Sequence, residues 1–178
     1  AGGYSFVSCS DEAIEQSLIR MEDYPIVDLI LGAEKAMLNE KMQQRIVDYT
    51  RQGGNLLVSG SYIGSILPTS LSNNVLKFSH GGSMWGVTTG NVSGANTTFT
   101  FPTQVNEKNY AVTAPDCLLP ANGSYSTFVY TPGNYGAGIA YKGSDYRTFV
   151  LGFPLESIEG TQQRTQMMKT ALGLFRSK

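Results

Sequence analysis

Residues 53–64, Gly-Gly-Asn-Leu-Leu-Val-Ser-Gly-Ser-Tyr-Ile-Gly, constrain this chain more than any other stretch. An apolar run of strand length, preceded by paired glycines, ends in the turn Gly60-Ser61-Tyr62-Ile63-Gly64. At the carboxyl end of a buried strand, such small residues permit a strained bend that lifts the middle side chain into a crevice. Many α/β enzymes display a nucleophile in this way. Here the middle residue is Tyr62, a phenol that ionises near pKa ~10 and is a poor nucleophile at neutral pH. The framework of an active site is expected without its attacking atom.

The flanking pattern sets the fold expected around this turn. Residues 4–9 read as a strand, and Ser10 with Asp11 and Glu12 as a helix start whose apolar stripe is Ile14, Leu18 and Met21. Residues 26–31 are apolar except for Asp28, the signature of a strand covered on both faces. Leu38, Met42, Ile46 and Tyr49 mark an amphipathic helix that Gly53 and Gly54 stop. Strand, helix, strand, helix, strand with short joints predicts right-handed crossovers and a mostly parallel sheet. A further helix is expected over residues 70–78. From about 81 to 134 helical periodicity fades, and alternation at residues 97–101 and 126–130 predicts antiparallel strands in a β-rich insertion. Residues 136–141 and 147–152 read as a hairpin, followed by a last helix with a stripe of Met168, Ala171, Leu172 and Phe175.

At 178 residues the chain is one domain with room for a proper core. A formal net charge of -1 gives nucleic acid or an anionic membrane no electrostatic footing. The apolar runs are too short to cross a bilayer as helices. Only 15% of residues are charged, while glycine, serine, threonine and asparagine abound, the composition of a secreted, periplasmic or cell-surface bacterial protein. Cys9 and Cys117 lie far apart, without metal-ligand spacing, and are expected to be free and partly buried rather than bridged. The opening Ala1-Gly2-Gly3 leads almost directly into a strand, as in an excised or processed piece. No dinucleotide fingerprint, phosphate loop or metal cluster is legible, so no cofactor is expected.

Two segments carry a resemblance to a family. Residues 150–158, Val-Leu-Gly-Phe-Pro-Leu-Glu-Ser-Ile, resemble the closing strand and loop of the class I glutamine amidotransferase-like fold, which reads Phe-His-Pro-Glu-Ser there. The Gly60 to Gly64 turn resembles its Gly-X-Cys-X-Gly elbow. The resemblance implies a flavodoxin-like three-layer sandwich with a mostly parallel sheet. It places Tyr62 where the family has its cysteine and Pro154 where it has histidine, leaving Glu156 alone of the Cys-His-Glu triad. More narrowly, residues 3–10, 27–35, 53–64 and 147–158 resemble a domain of Bacteroides-type xanthan lyase proteins with golvesin-like and peptidoglycan-amidase-linked relatives. Such domains carry one more strand-helix unit before the Gly-Tyr-Ser-Phe segment, so a missing N-terminal piece is implied.

In open parallel sheets ligands gather beyond the carboxyl ends of the strands, which places Glu34, Ser61, Tyr62 and Glu156 on one crevice rim. The alternative leaves Tyr62 packed in its turn, Glu34 solvated and Glu156 capping a loop. His80, the one histidine, reads as a surface residue. Asp28 is expected at a strand entrance, hydrogen-bonded to backbone. Trp85, Tyr110, Tyr125, Tyr130, Tyr135, Tyr141 and Tyr146 crowd the β-rich half, where aromatic faces either stack on sugar rings or pair across strands. The function expected is a non-catalytic accessory or structural domain of a secreted polysaccharide- or cell-wall-acting protein. Its partners would be glycan and the parent protein's other domains. Two enzyme readings stand beside it: a lyase of uronic-acid polymers drafting Tyr62 or Tyr146 with Arg147, and an amidase or hydrolase completed by residues from outside the chain.

Overall fold

The paired glycines and the apolar run do form a helix stop and a buried strand, but the sheet around them is mixed. In the computed structural model, which describes residues 4–84, 87 and 90–177, the first strands are β1 (Ile26–Gly32), β2 (Asn55–Gly60), β3 (Phe78–Ser83), β4 (Asn91–Gly94) and β5 (Thr97–Thr100). They are followed by β6 (Asp116–Pro120), β7 (Tyr125–Thr131), β8 (Tyr135–Lys142) and β9 (Arg147–Leu151). The helices are α1 (Asp11–Glu15), α2 (Glu40–Arg51), α3 (Ile63–Ile66), α4 (Thr69–Leu71) and α5 (Thr161–Arg176). Seven strands form one sheet in the order β1-β2-β9-β8-β7-β4-β5, and β3 pairs with β6 in a separate ribbon. Only β1–β2 and β2–β9 are parallel. The pairs β9–β8, β8–β7, β7–β4 and β4–β5 are all antiparallel.

This order overturns the flavodoxin-like, amidotransferase-like sandwich and the mostly parallel sheet expected above. The β-α-β rhythm of residues 26–60 is real, but it is local. The segment expected as an insertion supplies strands that continue the same sheet. With that fold goes the assignment of Tyr62, Pro154 and Glu156 to positions of a vacated triad, and with it the kinship to xanthan lyase domains.

Strand alternation divides the core between the two faces of the sheet. Leu56, Val58, Ile139 and Val150 face one cluster, closed by Ile46 and Tyr49 of α2, Ile63 and Ile66 of α3, and Phe78 and Leu118 of the β3–β6 ribbon. Leu57, Ala140, Phe149 and Leu151 face the other, closed by Met167, Ala171 and Phe175 of α5. There Phe99, Phe101, Tyr130 and Phe153 pack ring against ring, with Phe101 stacked on Phe153 at 5.1 Å between centroids. The buried stripe of α5 therefore begins at Met167 rather than Met168, which is only partly covered.

Other expectations change for local reasons. Residues 4–9 pair with no strand among the described residues and lie exposed. The Ile14, Leu18, Met21 stripe is cut because Ser17 turns the chain with φ of 59°, ending α1 at Glu15 and leaving Leu18 exposed. Residues 70–78 hold only α4 and a π-helical turn, Ser72–Leu76, which Lys77 ends in a left-handed conformation. The first strand is not covered on both faces: β1 is a sheet edge with Asp28 and Ile30 open to solvent. Both cysteines are free, Cys9 exposed and Cys117 buried. Trp85 and residues 1–3 lie outside the described residues.

Candidate functional site

The turn after β2 adopts the bend its small residues allow. Tyr62 sits in the left-handed region with φ of 62° and ψ of 9°, a conformation uncommon for a bulky side chain and costing about 1–3 kcal/mol. Yet the bend does not present the ring. Tyr62 is 8% exposed and packs in the core cluster that includes Ala114 and Leu118. The Lys35 ammonium lies 5.0 Å above the ring centroid, closing its outer face. Ser61 is buried as well, its backbone N–H donating to Gly32 O at 2.7 Å and so clamping the ends of β2 and β1 together.

Glu156 arrives from the 3₁₀ turn Leu155–Ser157 after β9, which packs on β1. Its Oε1 accepts the Tyr110 hydroxyl at 2.7 Å and would lie 3.6 Å from a β-carbon built on Gly32. Its Oε2 is buried with no hydrogen-bond partner, as are the hydroxyls of Ser59 and Ser61. Burial, then the Glu156 carboxylate, hold the Tyr110 phenol above its ordinary range. Glu34 stands apart: its Oε1 accepts the backbone N–H groups of Lys35 and Ala36, both at 2.7 Å. Those two bonds, Ala36 first, hold its carboxyl below the usual range. The four residues expected on one rim thus separate into a packed Tyr62 and Ser61, a self-capped Glu34, and a Glu156 joined to Tyr110.

Asp28 lies within electrostatic reach of Glu156. It is mid-strand rather than at an entrance, on the face of β1 that carries Ile30, and its register partner is Leu57. Crowding by surrounding atoms, then the negative charge of Glu156, push its carboxyl up from 3.8 to about 6, although the residue keeps an open side to solvent. Since the folded state binds this proton more tightly than the unfolded chain, the stability Asp28 contributes is complete below pH 3.8. It is lost as pH rises through about 6. A carboxyl carbon-13 titration should find Asp28 near 6, and Glu156→Gln should lower that midpoint while leaving part of the shift. An unchanged midpoint would show that the two carboxylates do not sense each other.

Sequence reading missed the best-connected polar group. Asp116, at the start of β6, is fully buried. Its Oδ2 accepts Gly64 N–H at 2.7 Å, and its Oδ1 accepts Ser83 Oγ at 2.5 Å and faces His80 Nε2 at 3.2 Å. Its own N–H donates to Gly152 O at 2.7 Å, and its carbonyl accepts the Tyr130 hydroxyl at 3.0 Å. His80 is exposed, as the sequence reading expected, and its ring also faces this buried carboxylate. Its ring lies where Gly64 has no side chain, since a β-carbon there would come within 2.2 Å of it. His80 and Ser83 both point at Asp116, so the cluster lacks the serine-to-histidine bond of a relay. Its local signal was slight: one acidic residue ahead of an apolar run, 36 residues beyond its histidine.

Of the residues drafted for a lyase, Tyr62 lies apart from Arg147, whereas Tyr146 and Arg147 line one depression. Arg147 begins β9, at the opposite end of the strands, and donates to Leu174 O and Phe175 O at the end of α5. Tyr146 donates to Val75 O. A depression of about 240 Å³ lined by Asn55, Tyr146 and Arg147 lies there, away from Tyr62 and Glu156. Of the aromatics, Tyr130 is buried in the core, and Tyr141 and Tyr146 pair at 5.3 Å beneath the Lys77 ammonium. No group of acidic, histidine and cysteine residues among the described residues could hold a metal ion. Nor is any helix among them long and apolar enough to cross a membrane.

No protein-family model matches the chain, and no curated protein matches it in sequence. Solved structures do share its fold. The β-galactosidase of the Antarctic haloarchaeon Halorubrum lacusprofundi aligns over 89% of this chain with TM-score 0.61 at 14% identity. That of Bacillus circulans sp. alkalophilus aligns over 87% with TM-score 0.60 at 9% identity. The mmIFT52 N-terminal domain aligns over 99% with TM-score 0.63 at 12% identity. The chain spans 23% of either galactosidase but 86% of the mmIFT52 domain. At such identities the likeness is one of fold.

Proposed function

We propose that this chain is a non-catalytic accessory module of a secreted protein that acts on polysaccharide or cell-wall glycan. One observation carries the reading. The side chain at the apex of the Gly60–Gly64 bend is packed into the core under Lys35, so the bend serves the fold rather than a substrate. Glu156, the other residue aimed at the strand ends, is engaged by Tyr110. The comparisons support a module of this kind: the same fold makes up about a quarter of two β-galactosidases and 86% of the mmIFT52 N-terminal domain. Chemistry on glycan would then reside in other domains of the parent protein.

The test is turnover by the purified chain on chromogenic β-galactosides and β-mannosides and on uronic-acid-containing polymers. The expected rate equals the buffer blank for the parent and for Tyr62→Phe and Glu156→Gln alike. Turnover by the parent that either substitution abolishes would make the chain an enzyme and end the accessory reading.

A further inference from the structure

We propose that the free edge of β1 is a docking site for one extended strand of a partner polypeptide, apolar beside Ile30 and bearing a lysine or arginine opposite Asp28. The proposal rests on the accessory reading and deepens it by naming the surface through which the module joins its partner.

The two edges of the seven-stranded sheet differ. At one end, β5 is four residues long with three threonines, a short polar edge of the kind that resists further pairing. At the other, β1 is seven residues long, Ile-Val-Asp-Leu-Ile-Leu-Gly, with neither lysine nor proline to blunt it. Among the described residues β1 pairs only with β2, and in parallel. Every second residue of such a strand turns its N–H and C=O away from its partner, so β1 offers a row of outward backbone donors and acceptors. Parallel strands are ordinarily covered on both faces, yet Ile30 is 59% exposed and Val27, Leu29 and Leu31 are only half-buried.

Charge selects the occupant. Asp28 and Ile30 are two residues apart and share one face, while Val27, Leu29 and Leu31 share the other. An added strand would set consecutive side chains beside these in turn. The residue beside Asp28 would meet the Asp28 carboxylate, which lies open to solvent in the middle of the strand. A cation there pairs with that carboxylate, and an acidic or apolar side chain does not. Main-chain bonds would supply affinity and this alternation the selectivity.

The probe is the capped peptide Lys-Thr-Val-Lys-Val-Ile-Val-Lys, titrated into the isotope-labelled full chain while backbone amide shifts and hydrogen exchange are followed. Saturable shifts centred on β1 are expected in the millimolar range or below. Exchanging the central lysine for glutamate should weaken binding roughly tenfold. Replacing the central valine by proline, or using Ile30→Lys in the protein, should abolish it. Ile30 is exposed, so that variant is expected to fold. No response at β1, or equal binding of the lysine and glutamate peptides, overturns the proposal. So does a concentration-dependent dimer that Ile30→Lys dissolves, which would assign the edge to a second copy. Turnover by the chain would sink the accessory reading without moving these shifts, so the two failures are distinguishable.

Discussion

Replacing Asp116 with alanine is expected to destabilise the protein by about 3–5 kcal/mol, the range for breaking a buried hydrogen-bonded network by removing its shared acceptor. The carboxylate is fully buried and receives Gly64 N–H, Ser83 Oγ and His80, so alanine leaves three polar groups facing a small void. Each unsatisfied buried group costs about 1–3 kcal/mol, though relaxation and water recover part of that. For a domain of this size the melting temperature should fall by roughly 10 °C. Asp116→Asn should cost less, because one oxygen remains to accept and the shape is kept. His80→Ala should cost less again, since the ring is half-exposed and Asp116 keeps its other two donors. Thermal unfolding of the three variants checks this order, and equal losses would refute Asp116 as the hub.

Phe153→Ala should be of similar severity, about 3–5 kcal/mol, as for other buried phenylalanines cut to alanine. Phe153 is fully buried and touches Phe99, Phe101 and Tyr130, rings supplied by β5, the loop after it and β7. It follows Gly152, which cannot carry a side chain because a β-carbon would lie 2.1 Å from the Asp116 carbonyl oxygen. Backbone on one side and a ring cluster on the other leave the site little room to collapse. Denaturant unfolding should show a lower midpoint with an unchanged slope. A loss below about 1 kcal/mol would mean that the ring cluster is not the organiser of that face.

Local structure was legible where one signal dominated. The spacing of Leu38, Met42, Ile46 and Tyr49, ended by Gly53 and Gly54, specifies α2, and the β8–β9 hairpin follows from alternation around a Gly-Ser-Asp turn. What failed was long-range. An apolar run such as residues 26–31 looks the same on an edge as in the middle of a sheet, and only its neighbours decide. Residues 4–9 alternate like a strand but find no partner. The β-α-β rhythm before residue 60 argued for a parallel sheet, and nothing local announced that β8, β7, β4 and β5 would extend that sheet antiparallel. The candidate residues fared likewise. The bend at Tyr62 could be read from its glycines, but the ring's direction depends on Lys35, Ala114 and Leu118. Asp28 and Glu156 lie far apart in sequence, and the Glu156 charge reaches Asp28 only because the turn after β9 folds onto β1.

The claim beneath the rest is that Tyr62 is packed rather than presented. Fluorotyrosine labelling, with Tyr62 assigned through Tyr62→Phe, tests it directly by exposure to a soluble paramagnet. The Tyr62 resonance should be as protected as those of buried Tyr49 and Tyr130, while exposed Tyr125 and Tyr135 broaden. A Tyr62 signal that broadens with Tyr135 would put the ring in solvent and contradict the account.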